Sequence, residues 1–173
     1  MKKRTGIFLL AASLLTLAGC GEDPQMADYQ DRMNAFYEDF SAGAQALEGI
    51  DPSSGTAVEE LLESLELLNG LTEQLAQIPV PDVYAQAGVN ELAAEAADHM
   101  AQADRMYREV YGAPDSGFDQ ETADAAHEHY LRAMKRINYI AVMLQGRTPE
   151  AEDVTLVPQE EEPDWTGGDL PGE

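Results

Sequence analysis

Apolar side chains recur at steps of three and four residues through most of the chain, which is the spacing of one face of an α-helix. Four segments show this pattern and predict helices over about 24–48, 57–78, 82–111 and 119–145. No segment alternates apolar and polar residues with a period of two, so we expect no β-sheet. The apolar positions are Met26, Tyr29, Met33, Phe36, Phe40, Gly43, Leu47 and Ile50; Val58, Leu61, Leu65, Leu68, Thr72 and Leu75; Ala85, Val89, Leu92, Ala96, His99, Ala103, Met106 and Val110; and Ala126, Tyr130, Ala133, Ile137, Ile140 and Leu144.

Residues that start or interrupt helices refine these boundaries. Asp23 followed by Pro24 is a favourable N-cap with proline at the first helical position. Thr56 with Glu59 three residues later forms a capping-box pattern at the start of the second helix. Gly70 lies inside that helix and costs about 1 kcal/mol relative to alanine, so we expect a kink there.

Four amphipathic helices joined by short turns predict an all-α fold, an antiparallel up-down four-helix bundle over residues 24–146. A three-helix bundle with a broken second helix is the alternative. Residues 147–173 differ in composition, with nine acidic residues, four prolines, one basic residue and few apolar side chains. We expect this acidic C-terminal tail to be disordered, because it has too little apolar surface to bury.

The first twenty residues have the features of an export signal. Residues 2–4 are basic and precede an apolar run of about a dozen residues, whereas a membrane-spanning helix needs about 20. The sequence Leu17-Ala18-Gly19-Cys20, directly behind this run, resembles the lipobox of bacterial lipoproteins. The resemblance implies that 1–19 is a signal peptide, that cleavage occurs before Cys20 and that diacylglycerol is attached to its sulfur. Residues 20–23 would then form the anchor and a short tether.

The expected location follows from this resemblance. Lipid on Cys20 would hold the protein at an extracytoplasmic membrane surface, either the outer face of the cell membrane or, in a host with two membranes, the outer membrane. Gly21 after the cysteine, in place of an aspartate, resembles cargo sent to the outer membrane. Cys20 is the only cysteine, so the chain can form neither an internal disulfide nor a thiolate cluster for a metal.

The charge of the chain excludes some partners. It has 33 acidic and 10 basic residues, and loss of residues 2–4 with the signal leaves seven basic residues and a net charge of −26. Nucleic acid is therefore not an expected partner, since its phosphates require clustered cations. Electrostatic adhesion to anionic lipid is equally unfavourable, so attached lipid must supply the membrane contact.

Histidines and carboxylates provide the only candidates for a metal site. His99 lies on the apolar stripe of the third helix with Glu95 one turn earlier, and Asp124 and His127 lie near the matching level of the fourth. The di-iron pattern of helical bundles requires two E-x-x-H motifs, and this chain lacks them. A core histidine hydrogen-bonded to a neighbour is therefore the favoured interpretation, with no metal or other cofactor. The segment 127–129 holds two histidines too close together to share one helix face.

The predicted topology also indicates where a partner could dock. In an up-down-up-down bundle both termini lie at the membrane end, so the turns at 49–56 and 112–118 face away from it. The candidate contacts at that end are Ile50, Tyr111 and Phe118, although each could simply close the end of the core. Trp165 in the acidic tail is a further candidate contact.

Two classes of function remain open. The chain contains no nucleophile elbow, P-loop, dinucleotide fingerprint or H-E-x-x-H motif, which favours a non-catalytic protein-interaction or structural module of the cell envelope over an enzyme. The alternative is a lipoprotein that binds a metal or small ligand through His99 and His127. The sequence Pro79-Val80-Pro81-x-x-Tyr84 is loosely similar to small helical lipoproteins of unknown function, and this similarity implies no activity.

Overall fold

The computed structural model describes residues 23–112 and 118–149. Within these ranges every regular element is a helix and there is no strand, which confirms the predicted all-α class. No helix in the described ranges is both long and apolar enough to cross a bilayer. The expected signal peptide, Cys20, Trp165 and most of the acidic tail lie outside the described residues. The helices are α1 (Pro24–Glu48), α2 (Ala57–Gln77), α3 (Asp82–Ala85), α4 (Val89–Tyr111) and α5 (Gln120–Leu144).

Aspartate side chains cap the first and last of these helices. The Asp23 carboxylate accepts a hydrogen bond of 3.0 Å from the backbone N–H of Gln25 at the start of α1. The Asp119 carboxylate accepts bonds of 3.1 and 3.3 Å from the backbone N–H groups of Glu121 and Thr122 at the start of α5. Both carboxylates satisfy donors that the first turn of a helix leaves without an intrahelical acceptor.

The start of α2 differs from the predicted capping box. Thr56 is the N-cap residue, but its side chain makes no capping hydrogen bond. Its hydroxyl instead donates to the carboxylate of Glu60 at 2.6 Å, one position beyond the expected Glu59. The physical reason is the backbone of Thr56, which has φ −105° and ψ 0° rather than the extended conformation that aims an N-cap side chain at the third residue.

Two glycines determine where the second and third predicted helices continue or end. α2 continues through Gly70 as one uninterrupted helix, so the three-helix alternative with a broken second helix loses its basis. The single helix expected over 82–111 is instead divided into α3 and α4. Gly88 has φ +86°, a left-handed conformation that glycine adopts without steric cost, and its N–H bonds the Ala85 carbonyl at 3.1 Å to end α3.

The core is built from the four long helices. The aromatic and methionine stripe of α1 is buried as predicted, at Tyr29, Met33, Phe36 and Phe40. The Phe36 and Phe40 rings stack with centroids 5.4 Å apart. The other large side chains with less than 2 % exposure come from α2, α4 and α5, namely Leu65, Leu68, Val89, Met100, Ile137 and Ile140.

The predicted apolar stripe needs correction in two helices. On α4 the predicted positions Val89, Ala96, Ala103 and Val110 are buried, but Ala93 and Met100 are buried with them, whereas Leu92 and His99 are only partly buried. α4 packs against both α2 and α5, so its buried face is centred between the two neighbours rather than on the line through Leu92 and His99. On α2 the first stripe residue, Val58, lies in the first turn and is 43 % exposed.

Contacts between side chains fix the relative directions of the helices. Near the end of α4, Arg108 contacts the Leu62 carbonyl at 3.4 Å and the Glu66 carboxylate at 2.9 Å, both in the first half of α2. Late in α5, Arg136 bonds the Glu95 carboxylate early in α4 at 2.9 Å. α4 therefore runs antiparallel to α2 and to α5. The connection after α1, the end of α4 and the start of α5 consequently lie at one end of the molecule, which we call the tip.

Candidate functional site

Two histidines from different helices meet at the seam between α4 and α5. The Nδ1 atoms of His99 and His129 lie 3.0 Å apart, and the ring centroids are separated by 5.2 Å. Both side chains are partly buried. At this distance the Nδ1–H of one neutral ring donates to the Nδ1 lone pair of the other, so the two rings hold different tautomers.

Small residues on both helices bring the two rings together. His99 has Ala96 three residues before it and Ala103 four residues after it, and all side-chain surface of both alanines is buried. His129 is placed in the same way on α5, with fully buried Ala126 three residues before it and Ala133 four residues after it. Alanine allows two helix backbones to approach closely, so an imidazole on each can span the remaining gap.

Charged side chains surround the pair. Arg136 bonds the Glu95 carboxylate at 2.9 Å, and Arg132 pairs with Glu128 at 3.5 Å. Arg105 also faces this region, since it acts electrostatically on His129. In a chain with 33 acidic and 10 basic residues, this is a local concentration of positive charge with carboxylates interleaved.

Both histidines are held in the neutral form. Burial is the largest cause of the lowered pKa of His99, followed by the positive charges of Arg136 and of a protonated His129. Burial likewise lowers the pKa of His129 most, with Arg132 the next cause. Since histidine normally has a pKa near 6.5, both rings are neutral at pH 7 and retain a lone pair for hydrogen bonding or metal ligation.

The structure does not bring the predicted set of four ligands together. His127 is exposed and its Nδ1 lies 3.5 Å from the Tyr107 hydroxyl, away from His99. Asp124 is exposed and accepts a bond of 2.6 Å from the Gln120 side chain. Glu95 is held by Arg136. Within the described ranges, no group of three or more histidine, cysteine, aspartate or glutamate side chains is arranged to hold a metal ion.

The sequence pattern does not identify His129 as the partner of His99, because it does not specify the level of α5 against α4. The prediction matched His99 with His127, and the actual register matches it with His129, two residues further along. The spacing of alanines contains the missing signal. His129 stands in the same relation to Ala126 and Ala133 as His99 does to its own alanine neighbours, which marks both histidines as flanking the same close helix contact.

The residues predicted at the tip form an aromatic cluster. The Tyr111 and Phe118 rings lie with centroids 5.7 Å apart, and Tyr107 stacks on Tyr111 at 6.2 Å. Phe118 is nevertheless 58 % exposed, while Tyr111 and Ile50 are partly buried. Tyr111 and Ile50 therefore contribute to closing the end of the core, and Phe118 leaves most of its apolar surface in water.

Comparison with known proteins identifies no relative. The chain matches no protein-family model, no curated protein sequence and no solved structure. Its function is therefore inferred from its own residues.

Proposed function

We propose that this protein is a membrane-anchored extracytoplasmic lipoprotein whose helices form an antiparallel four-helix bundle, and that the bundle is a non-catalytic protein-interaction module of the cell envelope. The observation that carries the proposal is the sequence Leu17-Ala18-Gly19-Cys20 directly behind a short apolar run. Enzymatic activity is no part of the proposal, because no catalytic motif accompanies these features.

The physical case for an anchor rests on lipid rather than on protein surface. Two or more acyl chains, at about 0.8 kcal/mol for each buried methylene, are enough for stable membrane attachment. The protein surface after Cys20 carries a net charge of −26, which anionic lipid headgroups would repel. The attached lipid, and not the acidic protein surface, would therefore bind the membrane.

The four-helix bundle is supported by the directions of the long helices. α2 and α5 both run opposite to α4, and α1 is joined to α2 by the short connection 49–56. The Tyr37 hydroxyl donates to the Ile137 carbonyl at 3.1 Å and so links α1 to α5. α3 is a single short turn between α2 and α4 and does not add a fifth layer.

The anchor and the bundle together define which end meets a partner. Three residues separate Cys20 from Pro24 at the start of α1, so that end of the bundle lies near the bilayer. The tip then points away from the membrane and presents Phe118. Phe118 is 58 % exposed and its ring lies tilted against that of Tyr111, so it offers an apolar contact that favours an apolar pocket on an envelope protein as its counterpart.

The anchor is tested by replacing Cys20 with serine in a bacterial host and following the protein through membrane fractionation. We expect the parent protein to remain with membranes after alkaline carbonate washing and to carry fatty acyl mass at its N-terminus. Cys20→Ser should abolish the acyl mass and the cleavage before residue 20, and Ser13→Ala within the apolar run should alter neither. A Cys20→Ser protein that is still acylated or cleaved at this position, or a parent without acyl mass, would contradict the proposal.

The interaction surface is tested by photo-crosslinking in intact cells of the native host. A photoreactive amino acid at position 118 probes the tip, and one at Val83 is the matched control, since Val83 is also an exposed apolar residue at 60 % but lies on α3. We expect one dominant envelope protein to be captured from position 118 and not from position 83. Equal capture from both positions, or none from position 118, would argue against docking at the tip.

A further inference from the structure

We propose that His99 and His129 form a two-imidazole binding site for a divalent transition-metal ion at the contact between α4 and α5, and that Cu²⁺ is the ion bound most tightly. The site is independent of the membrane anchor and of the tip. Its basis is the convergence of the two Nδ1 atoms, which lie 3.0 Å apart on adjacent helices.

The separation of the nitrogens matches that of two imidazoles bound to one metal. With metal–nitrogen bonds of about 2.0–2.1 Å, two neighbouring ligands are about 2.9 Å apart at a right angle and about 3.3 Å apart at the tetrahedral angle. The observed 3.0 Å lies within that interval. The nitrogens therefore already lie at a chelating distance, and binding requires each ring to turn so that its lone pair points at the ion rather than at the other nitrogen.

The helices hold the two ligands in advance of binding. Each imidazole projects from the middle of a long helix, and two fully buried alanines lie within one turn of it on the same helix. The rings are only partly buried, so water can fill the remaining coordination positions. A site on rigid elements loses little conformational freedom when it binds, which favours affinity.

Binding requires no net loss of a proton at neutral pH. In the free protein one Nδ1 carries the hydrogen that it donates to the other ring. When that ring shifts to the tautomer with hydrogen on Nε2, both Nδ1 lone pairs become available to the ion. Neutral imidazole is the form of histidine that ligates metals.

The surrounding charges select the kind of metal. Arg105, Arg132 and Arg136 act on the pair electrostatically, and the carboxylates of Glu128 and Glu95 pair with the last two. Guanidinium groups oppose ions held mainly by charge, such as Mg²⁺ and Ca²⁺, which also prefer oxygen ligands. An ion that bonds strongly to imidazole nitrogen is favoured, and among divalent ions Cu²⁺ does so most strongly.

The first test measures Cu²⁺ binding by calorimetric titration of the full chain carrying Cys20→Ser, purified in detergent without a polyhistidine tag. The substitution removes the only thiol, which would otherwise compete for copper. We expect one saturable Cu²⁺ site per chain and weaker binding of Zn²⁺, with no binding of Mg²⁺ or Ca²⁺. His99→Gln and His129→Gln should each weaken Cu²⁺ binding by at least about tenfold, and His127→Gln should leave it unchanged.

The second test identifies the ligating atoms without relying on variants. Two-dimensional ¹⁵N–¹H spectra of the imidazole rings, recorded with and without Zn²⁺, should show shifts of Nδ1 in His99 and His129 and none in His127. Melting curves in EDTA check that the variants remain folded. The proposal is overturned if Cu²⁺ affinity survives in the His99→Gln/His129→Gln double variant, if the parent shows no saturable site, or if Zn²⁺ shifts only His127.

Discussion

The hydroxyl of Tyr37 donates a hydrogen bond of 3.1 Å to the backbone carbonyl of Ile137, a residue one hundred positions later in the chain. Tyr37 lies on α1 and Ile137 on α5, so the bond joins the first long helix to the last. Ile137 is buried in the core that α1, α2, α4 and α5 share. Burial also raises the pKa of Tyr37 well above the ordinary range of tyrosine, so the hydroxyl remains a donor under alkaline conditions.

Removal of this hydroxyl should destabilise the protein measurably. We expect Tyr37→Phe to lower the free energy of unfolding by about 1 kcal/mol, because a partly buried carbonyl loses a donor while the ring is retained. Urea denaturation followed by circular dichroism measures the change. Tyr139→Phe is the matched control, since it removes a hydroxyl from α5 and keeps the ring that Lys135 approaches at 5.6 Å. An equal loss in both variants would show that the α1–α5 bond has no special contribution.

Gly70 and Gly88 should respond oppositely to alanine. Gly88→Ala forces a side chain into a left-handed conformation at φ +86°, and we expect a loss of about 1–2 kcal/mol. Gly70→Ala adds a Cβ that meets no atom within 4 Å inside α2, and we expect a gain of up to about 1 kcal/mol. Thermal and urea unfolding measure both. Stabilisation by Gly88→Ala would show that α3 and α4 are not separated by a left-handed residue.

The buried face of α4 predicts which of its side chains contribute most to stability. Met100 is 0 % exposed, and Met100→Ala should cost about 2–5 kcal/mol through lost apolar burial and a residual cavity. Leu92 is only partly buried, so Leu92→Ala should cost clearly less although it removes a side chain of similar size. Urea denaturation measures the decrease in the free energy of unfolding for each variant. A larger decrease for Met100→Ala supports the observed buried face, and a larger decrease for Leu92→Ala supports a buried face centred on Leu92 and His99.

The histidine pair should make stability depend on pH in the metal-free protein. Because burial and nearby guanidinium groups lower the pKa of His99 and His129 in the folded state, the unfolded chain binds protons first as the pH falls. The contribution of the neutral histidine pair to the free energy of unfolding is complete above about pH 6.5, the pKa of histidine in the unfolded chain. It is lost as the pH falls from there through the lower pKa values of the two histidines in the folded protein. Stability should therefore decrease on acidification through this interval.

Urea denaturation in EDTA at about pH 7.5 and about pH 5.5 measures this effect across the range in which histidine titrates. The wild-type protein should lose more stability between the two conditions than the His99→Gln/His129→Gln variant. His127→Gln leaves the pair intact and should follow the wild type. If the double variant shows the same pH dependence as the wild type, groups other than this pair control the acid response.

Large side chains made the sequence pattern reliable, and small ones made it ambiguous. On α1 the aromatic residues Tyr29, Phe36 and Phe40 define one buried face, and the structure buries all three. On α4 six of the thirteen apolar residues are alanines, which pack on several faces, so the pattern does not distinguish the line through Leu92 from the line through Ala93. The buried direction is set there by the two neighbouring helices, which a single segment of sequence does not specify.

The division of the third predicted helix and the histidine pair depend on longer-range information. A lone glycine in a helical pattern is compatible with continuation, as at Gly70, or with a left-handed stop, as at Gly88, and the conformation depends on what the following helix packs against. The pairing of His99 with His129 depends on the register between α4 and α5, where an error of two residues selected His127 instead.

The alanines at positions 96, 103, 126 and 133 have a consequence for how this chain can diverge. A bulkier side chain at any one of them would push α4 and α5 apart and separate the two imidazoles without touching either ring. Descendants of this sequence that keep both histidines should therefore keep all four small residues, whereas lineages in which one histidine is lost are free to enlarge them. Such joint inheritance of six positions would be visible in any sufficiently deep set of orthologues.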